Sequence, residues 1–377
     1  MRACVVLLIP LAILQRLLAA DLGDVPTHQN SKMSHVTVEN AKDNEYLTIC
    51  PNLCELPDGS LLIAYHRTTQ VDFNGKYSTW TRVSKDGGNT WSEARPFADN
   101  LQAPGLVRLR SGDILLNGCT VLDEHWSTTL RLFRSKDNGE TWNEQKPIWE
   151  KSKGIRLQGG CASLVQLESG RIVCPMFGSD IEATDYSQAT QQQKAGCYYS
   201  DDDGKTWREG KGKVSLPKRG AMEPSVAELN DSTLIMTLRT QLGFIYVSRS
   251  ADGGDTWSEA WSSGLEAPEA PFVMKAFPDG KALLMVYCSG TFDPNHHHSG
   301  ERTPLTAAIS KDAGRTWRKV GDVVGGPHEF GACSICFTQS GKVIIAYDWH
   351  RIPWDRNLKT GGVRLAIADV AWFDETK

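Results

Sequence analysis

Ser84-Lys-Asp86-Gly-Gly88-Asn-Thr90-Trp91 is the first of five copies of one pattern, Ser-x-Asp-x-Gly-x-Thr-Trp. The others run Ser135 to Trp142, Ser200 to Trp207, Ser250 to Trp257 and Ser310 to Trp317. A recurrence every roughly 50–65 residues marks stacked supersecondary units. Every position has a physical reason. Ser and Asp bond nearby amides to close a tight turn, and Gly accepts positive φ. Trp is expected to pack the turn onto its own sheet.

Between these turns lies a second periodic feature. Turn tetrads flanked by alternating apolar residues occur at Pro57-Asp-Gly59-Ser60, Arg110-Ser-Gly112-Asp113, Glu168-Ser-Gly170-Arg171, Asn230-Asp-Ser232-Thr233, Pro278-Asp-Gly280-Lys281 and Gln339-Ser-Gly341-Lys342. Each reads as a hairpin between two short strands, and no helical periodicity interrupts them. Six hairpins and five Asp turns predict an all-β fold, a six-bladed β-propeller closed into a ring. The unit lacking an Asp turn is the last, where 363–372 and the N-terminal segment are expected to close the ring.

The phase locates a site. Nine residues before each hairpin turn stand Cys50, Ala103, Cys161, Glu223, Pro271 and Ala332; seven after it stand His66, Cys119, Phe177, Arg239, Tyr287 and Asp348. These two rings converge at the axial mouth of a propeller. Their polar members are His66, Glu223, Arg239, Tyr287 and Asp348; Glu223 and Arg239 either serve chemistry or close the channel as an ion pair.

The formal charge of −4 provides no basic face for nucleic acid, so anionic substrates must be met by local arginines. Residues 1–20 carry Arg2, an apolar stretch and Leu18-Ala19-Ala20, the pattern of a signal peptide and not of a membrane span. Its removal takes away Arg2 and Arg16, giving 39 − 45 = −6 for a secreted or periplasmic single domain over 21–377. Nine of the ten cysteines remain, mostly in strand-like segments, and read as buried thiols. His296-His297-His298 with Asp293 reads as a solvated loop and no metal or cofactor is expected, because consecutive histidines cannot all face one ion.

The Asp turns, their period and the motif Met222-Glu223-Pro224-Ser225 resemble the sialidase (neuraminidase) superfamily of Asp-box propellers. The resemblance implies an arginine triad for a sugar carboxylate, a tyrosine–glutamate nucleophilic couple and an acid/base aspartate, an exception to the two-carboxylate rule. By that resemblance Glu223 is the glutamate of the couple. Arg239 and Arg302 are the second and third triad arginines, and Asp72 is the acid/base, with an Asx turn toward Asn74-Gly75 as its alternative. Two positions depart: Ile49 stands where the first arginine belongs, and Ala332 where the tyrosine hydroxyl belongs.

Other groups fall on the same predicted face: His66-Arg67, His328-Glu329 and Asp348-Trp349-His350. Glu223 and Asp348 form a carboxylate pair suited to hydrolysis. A histidine base, His66 or His350, beside Arg67 and Arg239 would suit β-elimination from a uronate. Trp126, Phe292, Trp349 and Trp354 offer aromatic faces to sugar rings or pack in the interior. The expectation is a glycan-acting protein: a sialidase-like glycosidase, a propeller lyase on acidic polysaccharide, or a glycan-binding module.

Overall fold

The structure, a computed structural model, describes residues 28–41, 46–69, 77–122, 127–151, 155–158, 164–180, 192–351 and 361–373. Its strands form six antiparallel sheets arranged as blades. The first contains Leu47–Glu55, Leu61–Thr68, Tyr77–Ser84 and Arg95–Asp99; the second Gln102–Arg108, Ile114–Val121, Thr128–Ser135 and Asn143–Glu144. In the third, Ile172–Asp180 and Lys194–Ser200 are flanked by short strands. The fourth runs Met222–Glu228, Leu234–Arg239, Phe244–Ser250 and Trp261–Glu266, and the fifth Phe272–Ala276, Leu283–Cys288, Leu305–Ser310 and Arg318–Gly325. His328–Phe337, Lys342–Arg351 and Gly361–Asp369 make the sixth, whose outermost strand is Ser34–Asn40 from the start of the described chain. The expected six-bladed propeller is therefore present, and the N-terminal strand closes the ring.

The turn chemistry works as the residue types dictate. In the first box Asp86 accepts from Ser84 Oγ at 2.8 Å, Thr90 N at 2.9 Å and Thr90 Oγ1 at 2.6 Å, while Gly88 takes φ 96°. Trp91 donates from Nε1 to the Gly88 carbonyl at 3.1 Å. Trp142, Trp207 and Trp317 repeat this bond at 3.0–3.2 Å. The box ending at Trp257 differs, since its indole N–H has no partner among the described residues. The hairpin tetrads close by the bond pair Leu56 N to Ser60 O and Gly59 N to Leu56 O, repeated at Leu109, Leu167, Leu229, Phe277 and Thr338.

One expectation is corrected. The box tryptophans do not pack only on their own sheet; each lies in a cluster shared with the preceding blade. Trp91 joins Leu61 and Ile63 of the first blade to Ile344 and Leu365 of the sixth, and Trp142 joins Leu106 and Leu116 to Leu62 and Ala64. Six such clusters fill the six gaps between blades. An indole spans the distance between two sheets, about 10 Å, better than any other side chain. Between the fifth and sixth blades, where the Asp turn is missing, Trp372 and Phe373 of the short 3₁₀ turn Val370–Phe373 occupy the equivalent gap.

Candidate functional site

The first strand of four blades carries a bulge near its start. The register slips between Ile49 and Asn52, Gln102 and Gly105, Met222 and Ser225, and Phe330 and Cys333. Within three of these bulges a non-glycine residue takes left-handed backbone: Cys50 at φ 56°, Ala103 at 49° and Glu223 at 43°. Bulges re-aim side chains, and strained backbone of this kind gathers at functional sites. These are positions of the ring that the turn phase singled out.

Glu223 pairs with Arg239 at 2.8 Å, so the ion pair expected as one alternative is formed. Its Oε2 has no hydrogen-bond partner among the described residues. Beyond Arg239 lies a residue that sequence reasoning missed. Glu269, in the connection between the fourth and fifth blades, is 1% exposed and gathers donors from several segments. Its Oε1 accepts from Arg219 and from Arg239 NH2 at 3.3 Å, and its Oε2 from Gln241 at 2.7 Å. The Glu269 carbonyl accepts from Arg239 at 3.2 Å and Arg302 at 3.0 Å. The surrounding arginines outweigh the cost of burial and hold its carboxyl below the usual range. Arg302 is buried, and desolvation beside Arg239 lowers it to about 10. Among the described residues it has no ion-pair partner, and its Nε has no acceptor.

Across the mouth, Asp348 is 1% exposed. Its Oδ2 accepts from the main-chain N–H groups of Cys50 at 2.7 Å and Ala332 at 3.2 Å, and its Oδ1 stands 3.3 Å from His350 Nε2. His66 lies in the same neighbourhood. The Ala103 N–H donates to its Nδ1 at 3.1 Å, which puts the proton of the neutral ring on Nε2. Burial lowers its pKa to about 4 against the opposing pull of Asp348, so the ring is neutral at pH 7. The two halves are joined through the backbone, because Phe330 N donates to the Arg302 carbonyl at 3.0 Å and the strand of Phe330 pairs with that of Asp348 and His350.

A model of the BNR repeat-like domain matches residues 95–345. The chain belongs to that family. It is 26% identical over 318 residues to a sialidase of Bacteroides fragilis, covering 73% of this chain and 55% of the relative. It is 25% identical over 308 residues to a sialidase of Micromonospora viridifaciens, covering 71% and 44%. The chain thus spans about half the length of these curated relatives. The Hadza microbial sialidase Hz136 superposes with a TM-score of 0.69 at 22% identity over 86% of this chain and 66% of that one, a likeness of fold.

In this BNR propeller the period-2 alternation of strands separates residues that are adjacent in sequence. His66 turns toward Asp348, whereas Arg67 turns outward. Its guanidinium binds Glu39 and lies 3.8 Å over the Trp80 ring and 4.3 Å over Tyr46. Arg67 is thereby committed to a join between blades and not to the mouth. Likewise Asp348 and His350 share one side of their strand, and Trp349 points the other way into the core between the fifth and sixth blades. Its ring is 1% exposed and cannot stack on a sugar. Tyr287 is buried between the fourth and fifth blades, where desolvation raises its hydroxyl well above the usual range. His328 is buried edge-on to Trp349, with ring centroids 5.1 Å apart. Glu329 is buried opposite His350, within electrostatic reach of Arg302. Phe292 packs beside Gly243, with Lys218 Nζ 5.4 Å from its ring. Asp72, Trp126, Trp354 and the signal peptide 1–20 lie outside the described residues. Cys54, Cys174, Cys197, Cys288 and Cys336 are buried free thiols, and no helix among the described residues is long and apolar enough to cross a membrane.

Proposed function

We propose that the protein is a sialidase-like glycoside hydrolase acting on acidic glycans, exported after cleavage behind Ala20. The observation that carries this reading is the buried Arg302, without a carboxylate partner among the described residues, beside the Glu223–Arg239 pair. A buried guanidinium without a direct ion pair among the described residues is costly even with Glu329 and Glu223 acting on it from a distance, and an arriving sugar carboxylate would relieve that cost with bidentate geometry. The sialidases among its relatives support the same class.

In this reading Arg239 and Arg302 hold the anion, and Glu223, whose buried Oε2 has no hydrogen-bond partner among the described residues, handles the proton at the scissile bond. Ile49 and Ala332 supply neither the cation nor the hydroxyl expected at their positions, so Asp348 is the second carboxylate. Asp72 is retained as an acid/base candidate. β-Elimination is the weaker reading, because His66 Nδ1 already accepts the Ala103 N–H and Nε2 carries the proton. His66 is thus a donor in its neutral state, and a lyase would have to use His350.

Mass spectrometry of products from a panel of acidic oligosaccharides tests the proposal. Hydrolysis adds one water, and Glu223→Gln is expected to lower turnover at least a hundredfold. Unsaturated products would establish the lyase, and binding without turnover a glycan-binding module. N-terminal sequencing of the exported protein checks cleavage, with Asp21 expected first.

A further inference from the structure

The fourth and fifth blades meet at a patch of aromatic side chains that the candidate site does not use. Two connections build it, the turn 240–243 that follows Arg239 and the longer segment 289–304 that contains Arg302. Gly243 takes φ 83°, and a Cβ on it would lie 3.2 Å from Phe292 Cγ, so only a bare backbone lets that ring lie against the turn. The next residue, Phe244, is 39% exposed, and among the described residues only Leu122 is a large apolar side chain as open to solvent. Polar groups frame the rings. Phe244 stands opposite Glu266 in its strand pair, and the exposed Glu266 accepts the Phe292 N–H through Oε1 at 3.2 Å. Lys218 Nζ is 5.4 Å from the centre of the Phe292 ring and uses one of its three donors on the Gln241 carbonyl at 3.0 Å. Lys218 itself holds left-handed backbone at φ 57°, strain of a kind that gathers at ligand sites. The patch is continuous with the mouth, because the Gln241 side chain donates to Glu269 Oε2 at 2.7 Å.

We propose that Phe244 and Phe292, with Lys218 and Glu266, form a second sugar subsite, which takes a neutral pyranose ring linked to the acidic residue held at the mouth. The inference rests on the glycosidase reading above and extends its ligand by the adjoining sugar. A pyranose presents C–H groups on its faces and hydroxyls around its edge. Flat aromatic rings cover the first, while the Lys218 ammonium donates to the second and the Glu266 carboxylate accepts from it. The two charges are opposite in sign, so the patch has no excess to draw a second anion. A lipid chain or an apolar peptide would set hydrocarbon against both charged groups, which is unfavourable.

Ligand-observed NMR titration with four probes tests this, and the same spectra report any hydrolysis. N-acetylneuraminic acid is compared with 3′-sialyllactose, and D-glucuronic acid with its β-1,3-linked disaccharide with N-acetylglucosamine. At least one acid is expected to bind the wild-type protein about tenfold more tightly with its neutral sugar attached. Phe244→Ala and Phe292→Leu should each cut that gain about threefold, the scale of one aromatic contact, while the free acid binds as before. Phe244 lies at the surface, and Phe292→Leu keeps apolar bulk without the flat ring, so both variants are expected to fold. A gain that is absent from the wild-type protein, or undiminished in both variants, overturns this inference and leaves the glycosidase reading standing. Self-association that is lost in Phe244→Ala would make the patch an interface between copies and overturns it too. A wild-type protein that binds none of the four probes overturns both readings.

Discussion

Gly331 has no room for a side chain, because a Cβ there would overlap Asp348 Oδ1. The glycine lets Asp348 reach the Cys50 and Ala332 amides, so Gly331→Ala should displace that carboxylate. Turnover on the substrate found by the screen is expected to fall at least tenfold, about 1.4 kcal/mol of barrier, while circular dichroism stays native-like. The histidines predict a pH dependence. His66 and His35 are both lowered to about 4 by burial, so the unfolded chain binds more protons than the folded one between about 4 and 6.5. Stability should be level above pH 7 and fall as pH drops through that window, and His66→Gln should flatten part of the slope in urea titrations. At this scale the sequence was partly legible. Glu223, Arg239, His66 and Asp348 were singled out because they stand at fixed offsets from the hairpin turns, and Arg302 by resemblance. Glu269 and Arg219 lie in connections between blades, outside that phase, and their contact arises only where separate segments meet. Arg67 and Trp349 were misplaced because two-residue alternation turns them away from His66 and Asp348.

The Asp turns show what a short element can and cannot announce. Their internal hydrogen bonds follow from residue type, but their tryptophans reach across to the neighbouring blade, which no local pattern reports. Trp372 takes that place in the gap whose turn is missing, outside any repeat motif. Trp372→Ala is therefore expected to cost about 3–5 kcal/mol, the range for buried aromatics, as measured by chemical denaturation. The boxes are also acid-sensitive. Asp86 and Asp202 are lowered to about 2, first by the Thr90 and Thr206 hydroxyls. Their contribution is fully present above about pH 4 and is lost as pH falls toward 2. Asp86→Asn should remove its share of the acid transition.

The ring as a whole is held by repeated stitches between neighbours. At the hairpin end, Glu55 accepts from Gln339 N, Arg108 donates to the Leu56 carbonyl, Gln166 accepts from Arg110 N and Glu228 from Glu168 N. Each joins one blade to the hairpin end of its neighbour. At the closing seam, Glu39 of the outermost strand accepts from Tyr65, Arg67 and Arg82 of the first blade. Glu39→Ala should cost about 3–5 kcal/mol, because it strands two part-buried guanidiniums, and differential scanning calorimetry would show the lowered transition. The number of blades was readable from turns alone, whereas this seam was not, since its partners belong to different blades and no repeat relates them.

Thr37 and Arg364, hydrogen-bonded at 2.7 Å, are 327 positions apart. Bringing such distant ends together costs roughly 5 kcal/mol of chain entropy, and during synthesis the early strand must wait for nearly the whole polypeptide to leave the ribosome. Until then the last sheet has an open edge. Relocating residues 34–40 behind residue 373 through a short flexible tether would make that pairing local, and the permuted chain should refold faster and aggregate less.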